Sequence, residues 1–198
     1  MLALITGGSG SGKSAYAEKL ACKLAENKRE KNRCYYLATM MVFGEEGRRK
    51  VERHKNMRKG KGFLTVEQPL DIINFLEQSG GYAGGETQSR ESAGERDTVL
   101  LECMSNLTAN EMFRKQPPEE PETVTEKIVS EIDCLGERLK HLVIVTNNVF
   151  EDGILYEKET MAYIRALGEI NRRLAERADV VTEVVAGIPV AVKGERLL

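Results

Sequence analysis

The sequence has no tryptophan, only two histidines, and four cysteines in 198 residues. Cys22, Cys34, Cys103 and Cys134 are separated by 12, 69 and 31 residues, so no C-x-x-C pair exists. With so few histidines, a Cys/His zinc site is not expected. Nor is there an excess of one charge. Twenty-nine basic and 31 acidic side chains leave a net charge of −2, so no global pull on nucleic acid is expected. Aromatics are 6% of the chain, too sparse to interleave a basic patch with stacking platforms. No apolar run approaches the ~18–20 residues of a bilayer span. The opening MLALITGGSG lacks a basic n-region and does not read as a signal peptide. The expectation is a reduced, cytoplasmic setting in which the cysteines are small core hydrophobes.

What is present fits one globular domain. Hydrophobic residues are 41% and charged residues 30%, the balance of an ordinary folded chain. At this length roughly 70% of the extended surface can be buried. Apolar runs at Leu2–Thr6, Cys34–Ala38, residues 63–66, Thr98–Glu102 and residues 142–146 predict strands. Apolar positions at three- and four-residue spacing predict helices over residues 13–26, 105–113, 124–139 and 157–177. Pro69 suits the first turn of a helix running through Leu76, and residues 45–61 are charged and helical in part. Residues 180–186 and 189–193 flank Gly187 and predict a closing antiparallel hairpin. Residues 78–97, rich in Gly, Ser and charge, read as a flexible surface insertion within the domain. Alternating strands and helices predict an α/β fold: a P-loop NTPase-like, mostly parallel sheet with helices on both faces.

The sharpest motif is Gly7-Gly8-Ser9-Gly10-Ser11-Gly12-Lys13-Ser14, which fits G-x-x-x-x-G-K-[ST]. Its context is a strand before and an amphipathic helix after. Glycines let the backbone N–H groups turn inward to phosphate oxygens, and the helix N-terminus adds partial positive charge. Lys13 is expected to reach the β/γ-phosphates, and Ser14 to ligate Mg²⁺. A second carboxylate is expected at another strand end. Glu102 closes Thr98–Glu102 and is one methylene longer than the commoner Asp, so its contact with Mg²⁺ is direct or through water. The N-K-x-D signature of GTPases is absent, because the fifth strand runs into Thr146-Asn147-Asn148-Val149. A small-molecule phosphotransferase or nucleotidyltransferase is favoured over a regulatory GTPase.

Residues 43–62 carry eight Lys or Arg against three Glu, with His54 at the centre. On a helix Lys50, His54 and Arg58 share a face that can hold a triphosphate. A neutral imidazole there can attack phosphorus and form a phosphoramidate. The competing reading is a solvated charged helix with a bystander histidine, and spacing does not choose between them. His141 reads as a polar residue at a helix C-terminus.

Together these motifs resemble the bifunctional adenosylcobinamide kinase/adenosylcobinamide-phosphate guanylyltransferases of cobalamin biosynthesis. That family's T-G-G-x-R-S-G-K-S-x-x-A-E is similar to Thr6 through Glu18, and its Y-I-A-T to Tyr36-Leu37-Ala38-Thr39. Its R-I-x-x-H-[RK]-x-x-R segment resembles Lys50 through Arg58, and its W-x-T-x-E-x-P resembles Phe63 through Pro69. Its L-L-[DE]-C strand and downstream Asn match Leu100-Leu101-Glu102-Cys103 and Asn110. Later blocks match Val145-Thr146-Asn147, Gly153-Ile154, Gly168, Asn171, Ala178-Asp179 and Val184 through Pro189. The blocks are collinear over nearly the whole chain.

The resemblance implies phosphorylation of adenosylcobinamide by ATP or GTP, then transfer of GMP from GTP to give adenosylcobinamide-GDP and pyrophosphate. It makes His54 the nucleophile that carries GMP, with Lys13 as its catalytic partner and Mg²⁺ at Ser14 and Glu102. Nucleotide contacts are implied at the P-loop and at Leu37, Ala38, Thr39, Lys55, Asn56, Met57, Arg58, Glu67 and Glu102. It also implies a homotrimer, with no nucleic-acid partner. The chain departs from the family pattern in places. Gly10 replaces an Arg, Phe63 a Trp, and Asn147-Asn148-Val149-Phe150 stands for N-E-V-G. Two other readings stand beside this one. The chain is a P-loop kinase of another small alcohol or nucleotide without guanylyl transfer, or a nucleotide-binding protein without turnover.

Overall fold

The computed structural model describes the chain except residues 27–31, 42–43, 46–48, 50–51, 53–57, 59, 79–92, 150–152 and 155. In chain order the elements are β1 (Leu2–Thr6), α1 (Lys13–Ala25), β2 (Cys34–Ala38) and β3 (Phe63–Glu67). A 3-10 turn (Ile72–Asn74) leads into the short α2 (Phe75–Gln78). Then come β4 (Thr98–Glu102), α3 (Met104–Met112), α4 (Pro121–Arg138) and β5 (His141–Val145). The chain closes with α5 (Lys158–Arg177), β6 (Val180–Val185) and β7 (Ile188–Lys193).

One seven-stranded sheet results, in the order β3-β2-β4-β5-β1-β6-β7. Every neighbouring pair is parallel except β6 with β7. Its central strands are continuous apolar runs because both faces are covered. The period of two divides them. Leu4, Val99, Leu101, Leu142 and Ile144 face the core under α3, α4 and α5, with Leu107, Ile128, Ile132, Leu167 and Ile170. Ala3, Ile5, Leu100, Val143 and Val145 face α1, against Ala17, Leu20 and Ala21. Because six strands run the same way, their C-terminal ends share one edge, where ligands of open α/β sheets collect. The closing hairpin turns through Ala186 (φ 49°) and Gly187 (φ 82°), the two positive φ values of a type I′ turn.

Three boundaries differ from expectation. No helix runs from Pro69 through Leu76. Asp71 takes a left-handed φ of 47°, and the Glu111 carboxylate accepts its N–H at 2.7 Å. A left-handed residue interrupts a helix, so regular turns begin only at Ile72. His141 is the first residue of β5 and not part of a helix. Of the expected 78–97 insertion, residues 79–92 lie outside the described residues, Gln78 closes α2, and the far end is packed structure. Ala93 is 6% and Asp97 2% exposed. Asp97 accepts from Arg33 Nη2 at 2.8 Å and from the Gly94 N–H at 3.0 Å.

Candidate functional site

The loop between β1 and α1 is held in shape by its glycines and by the β6–β7 hairpin. Gly7, Gly10 and Gly12 have φ of 150°, 72° and 92°. A Cβ at Gly7 would lie 2.5 Å from the Val184 carbonyl oxygen, so only glycine fits beside β6. The Gly187 N–H donates to Ser11 O at 2.8 Å, and the Asn148 N–H to Gly7 O at 3.2 Å. The hairpin tip and the β5 exit loop thus clamp the turn from two sides. Lys13, 7% exposed, curls back and donates from Nζ to Gly8 O at 2.9 Å. Burial lowers its pKa from the ordinary lysine range, while Cys103 and Glu102 oppose the shift. A buried ammonium with one carbonyl partner is poised to exchange that contact for a phosphate oxygen.

At the next residue the Ser14 hydroxyl donates to Glu102 Oε1 in a short contact between α1 and the end of β4. A hydroxyl and a carboxylate together are hard oxygen donors of the kind Mg²⁺ takes. No larger His/Cys/Asp/Glu group suited to a metal occurs among the described residues. Behind Glu102 lies Tyr36, whose phenol is pushed far above its usual range by burial first and then by the Glu102 charge. Over that ring sits Arg58, its guanidinium carbon 3.5 Å from the centroid. Arg58 is 7% exposed, and its Nε and Nη1 have no hydrogen-bond partner among the described residues. A buried guanidinium so placed suits an anion more than solvent. Of the basic segment, His54, Lys55, Asn56 and Met57 lie outside the described residues.

Pairing register sets Glu67, Ala38 and Glu102 side by side at the ends of β3, β2 and β4. Of the three β2 positions expected to line the nucleotide, Leu37 is buried in the core under α3 and α4. Thr39 is fully buried as well. Its hydroxyl donates to Cys103 O and accepts from the Cys103 N–H, both at 2.7 Å. Only Ala38 is part-exposed there, and the backbone is already paired, with the Gln68 N–H donating to Ala38 O at 2.9 Å and the Thr39 N–H to Glu102 O at 3.0 Å. Asn110 secures the corner, donating from Nδ2 to Thr39 O at 2.7 Å and to Pro69 O at 2.9 Å.

Ser105, Tyr163 and Glu183 carry no motif in the sequence, and the structure sets them beside residues the motifs do include. Asn147 donates from Nδ2 to Ser105 Oγ at 2.6 Å, and the Tyr163 hydroxyl donates to Ser105 O at 3.3 Å, beside the β4 and β5 ends. On the opposite flank a cleft of about 460 Å³ opens over residues 8–11, walled by Asn148 and by residues 183–186. Glu183 is the one charged residue of β6, VVTEVV, and that isolation is the only signal the sequence holds for it.

Similarity to known proteins fits this geometry. The family model described as cobinamide kinase / cobinamide phosphate guanyltransferase matches residues 3–192. The bifunctional adenosylcobalamin biosynthesis protein CobP of Pseudomonas aeruginosa is 28% identical over 196 residues, covering 98% of both chains. The corresponding CobU protein of Escherichia coli is 27% identical over 202 residues, covering 98% of this chain and all of the relative. That of Salmonella typhimurium is 28% identical over 204 residues at the same coverage. Among solved structures, the flagellar accessory protein FlaH from Methanocaldococcus jannaschii overlaps 98% of this chain and 78% of its own, at 14% identity and a TM-score of 0.40. That likeness is too distant to bear on function.

Proposed function

The chain belongs to the cobinamide kinase / cobinamide phosphate guanyltransferase family, and on that premise we propose that it is a transferase of cobalamin nucleotide-loop assembly. It phosphorylates the aminopropanol hydroxyl of adenosylcobinamide with ATP or GTP. It then transfers GMP from GTP to that phosphate, giving adenosylcobinamide-GDP and pyrophosphate. The observation that carries this reading is the meeting of Lys13, Ser14 and Glu102 at one flank of the P-loop.

In the first step the P-loop N–H groups and Lys13 hold the triphosphate, and the substrate hydroxyl oxygen attacks the γ-phosphorus. The bond from that phosphorus to the bridging oxygen breaks, the nucleoside diphosphate leaves, and the hydroxyl proton is released. In the second step an imidazole nitrogen of His54 attacks the α-phosphorus of GTP. An N–P bond forms, the bond to the bridging oxygen breaks, and pyrophosphate leaves. An oxygen of the cobinamide phosphate then attacks the same phosphorus, the N–P bond breaks, and His54 is restored. Mg²⁺, when bound, offsets charge on the triphosphate and on the leaving pyrophosphate. Ser14 and Glu102 would hold it, directly or through water. Arg58 and Lys55 neutralise phosphate charge. Asn56, Met57, Glu67 and Ala38 complete the nucleotide contacts, and the buried Leu37 and Thr39 hold the β2 end in place beneath them. The homotrimer and the cytoplasmic setting belong to the same reading, and light scattering at three times the 22.1 kDa chain mass tests the former.

The deciding experiment incubates the protein with GTP labelled at the α-phosphate and Mg²⁺, denatures it, and looks for label on the chain. The His54→Ala variant runs beside it. Acid-labile, base-stable label absent from the variant is the expected result. No label, or equal label in both, removes His54 as the nucleophile and turns the reading toward a plain P-loop kinase. Nucleotide binding with no transfer to any acceptor leaves a binding protein.

A further inference from the structure

We propose that Tyr36 is a positioning residue for guanylyl transfer, whose ring seats Arg58 and so fixes the turn at residues 58–61, where the segment bearing His54 joins the sheet. The role rests on the reading of His54 as the carrier of GMP. It gives the middle of β2 a part in that step which phosphoryl transfer does not share.

The seat is a ring under a cation. Arg58 and Tyr36 are both buried. The guanidinium carbon lies 3.5 Å from the ring centroid, and its Nε and Nη1 have no hydrogen-bond partner among the described residues. The ring face therefore supports the cation, and such a contact strengthens when both partners leave water. The ring itself is held. Phe63 meets it edge-on with centroids 6.0 Å apart, and the Tyr36 backbone pairs with β3 on one side and β4 on the other.

A second hold acts on the same turn. The Lys61 N–H donates to Arg58 O at 3.0 Å and closes residues 58–61. Lys61 Nζ pairs with the buried Glu18 carboxylate, and Cys22 Sγ donates to Lys61 O at 3.7 Å. Ser14, Glu18 and Cys22 recur every four residues, so they lie along one stripe of α1. The stripe starts at the Ser14–Glu102 contact and ends under the turn. The turn thus takes its place from the same helix that carries Lys13.

Chain length turns this anchor into a position. Four peptide units separate Arg58 from His54, a reach of at most about 14 Å. An imidazole that must meet the α-phosphorus in line gains from a short tether with a fixed end, because a misplacement of ~1 Å can cost about 10²-fold in rate. Phosphoryl transfer, run by the P-loop and Lys13, does not need that imidazole and serves as the internal control.

The test follows two rates: single-turnover labelling of the chain by GTP labelled at the α-phosphate, and phosphoryl transfer to adenosylcobinamide. In Tyr36→Leu labelling should slow at least about tenfold while phosphoryl transfer stays within about twofold. Tyr36→Phe, which keeps the ring, should match the wild-type chain in both. Arg58→Ala should slow labelling too, and adding Tyr36→Leu to it should change nothing further, because the ring acts through the guanidinium. Hydrogen exchange at the Lys61 amide reads the anchor itself, and should quicken at least about tenfold in Tyr36→Leu but not in Tyr36→Phe. Glu18→Gln, which loosens the same turn from α1, should reproduce the split if Tyr36→Leu does not fold. Equal losses in both rates, a slow Tyr36→Phe, or additive effects of Tyr36→Leu and Arg58→Ala overturn the inference. No label, or no phosphoryl transfer, in the wild-type chain is instead a failure of the proposed function, and exchange at Lys61 then decides the anchor alone.

Discussion

Lys13 and Glu102 approach the phosphate site from opposite sides of the charge balance, and their substitution should differ accordingly. Lys13→Ala removes the cation that meets the triphosphate. Phosphoryl transfer should fall about 10²–10³-fold in kcat, the usual cost of one preorganised electrostatic group, as steady-state rates will check. Glu102→Gln keeps the shape and the Ser14 contact but removes the charge. Its activity should recover in part at raised Mg²⁺, and a magnesium titration reads that shift directly. Gly7→Ala tests backbone rather than charge. Its Cβ would meet the Val184 carbonyl oxygen at 2.5 Å. The variant should lose several kcal/mol of stability, ~1–3 from the backbone conformation alone, in denaturant unfolding. Lys13, Ser14 and the glycines were legible in the sequence because phosphate binding by a loop dictates their spacing. Tyr36 under Arg58 was not, since a ring and a guanidinium separated by 22 positions carry no local signature.

At the scale of elements, the active edge depends on side chains that stitch strand ends to the segments behind them. Asn110, on α3, joins the exits of β2 and β3 through Thr39 O and Pro69 O. Asn110→Ala leaves both carbonyls without that donor. It should cost about 1–3 kcal/mol in chemical denaturation and raise nucleotide KM more than it lowers kcat. On the far side of α1, Lys61 pairs with Glu18, a carboxylate only 1% exposed. Removing the lysine strands that charge, so Lys61→Ala should destabilise more than an exposed pair's ~0–1 kcal/mol. Strand and helix positions follow from apolar period, which is why β1, β2, β4, β5, α4 and α5 were readable to within a few residues. The segment after β3 was misread because Asp71's left-handed turn is set by Glu111, forty residues away.

For the whole molecule, acid stability has a direction fixed by two groups. Burial, and the charges of the chain N-terminus and Lys140, hold His141 below the ordinary histidine pKa. A lowered folded-state pKa means that the unfolded chain binds the proton first. This contribution is full above about pH 6.5 and fades as pH falls through the folded value. Asp71 acts lower on the scale. Its hydrogen bond from Lys127, then the charges of Lys127 and Arg114, hold it below the usual carboxylate range. Its share of stability is present above about pH 4 and is lost as pH falls further. Urea unfolding from pH 8 to 3 should show stability declining below neutrality. Asp71→Asn should flatten the part below pH 4. By itself the sequence determined the layered α/β fold, the P-loop and the family, because apolar period and glycine spacing are local constraints written residue by residue. Only the tertiary structure decided that Tyr36 lies under Arg58, that Thr39 spends its hydroxyl on Cys103, and that Glu183 lines a cleft beside the loop. Those contacts join strands whose neighbours in the sheet are not their neighbours in the chain, so sheet order and register set them.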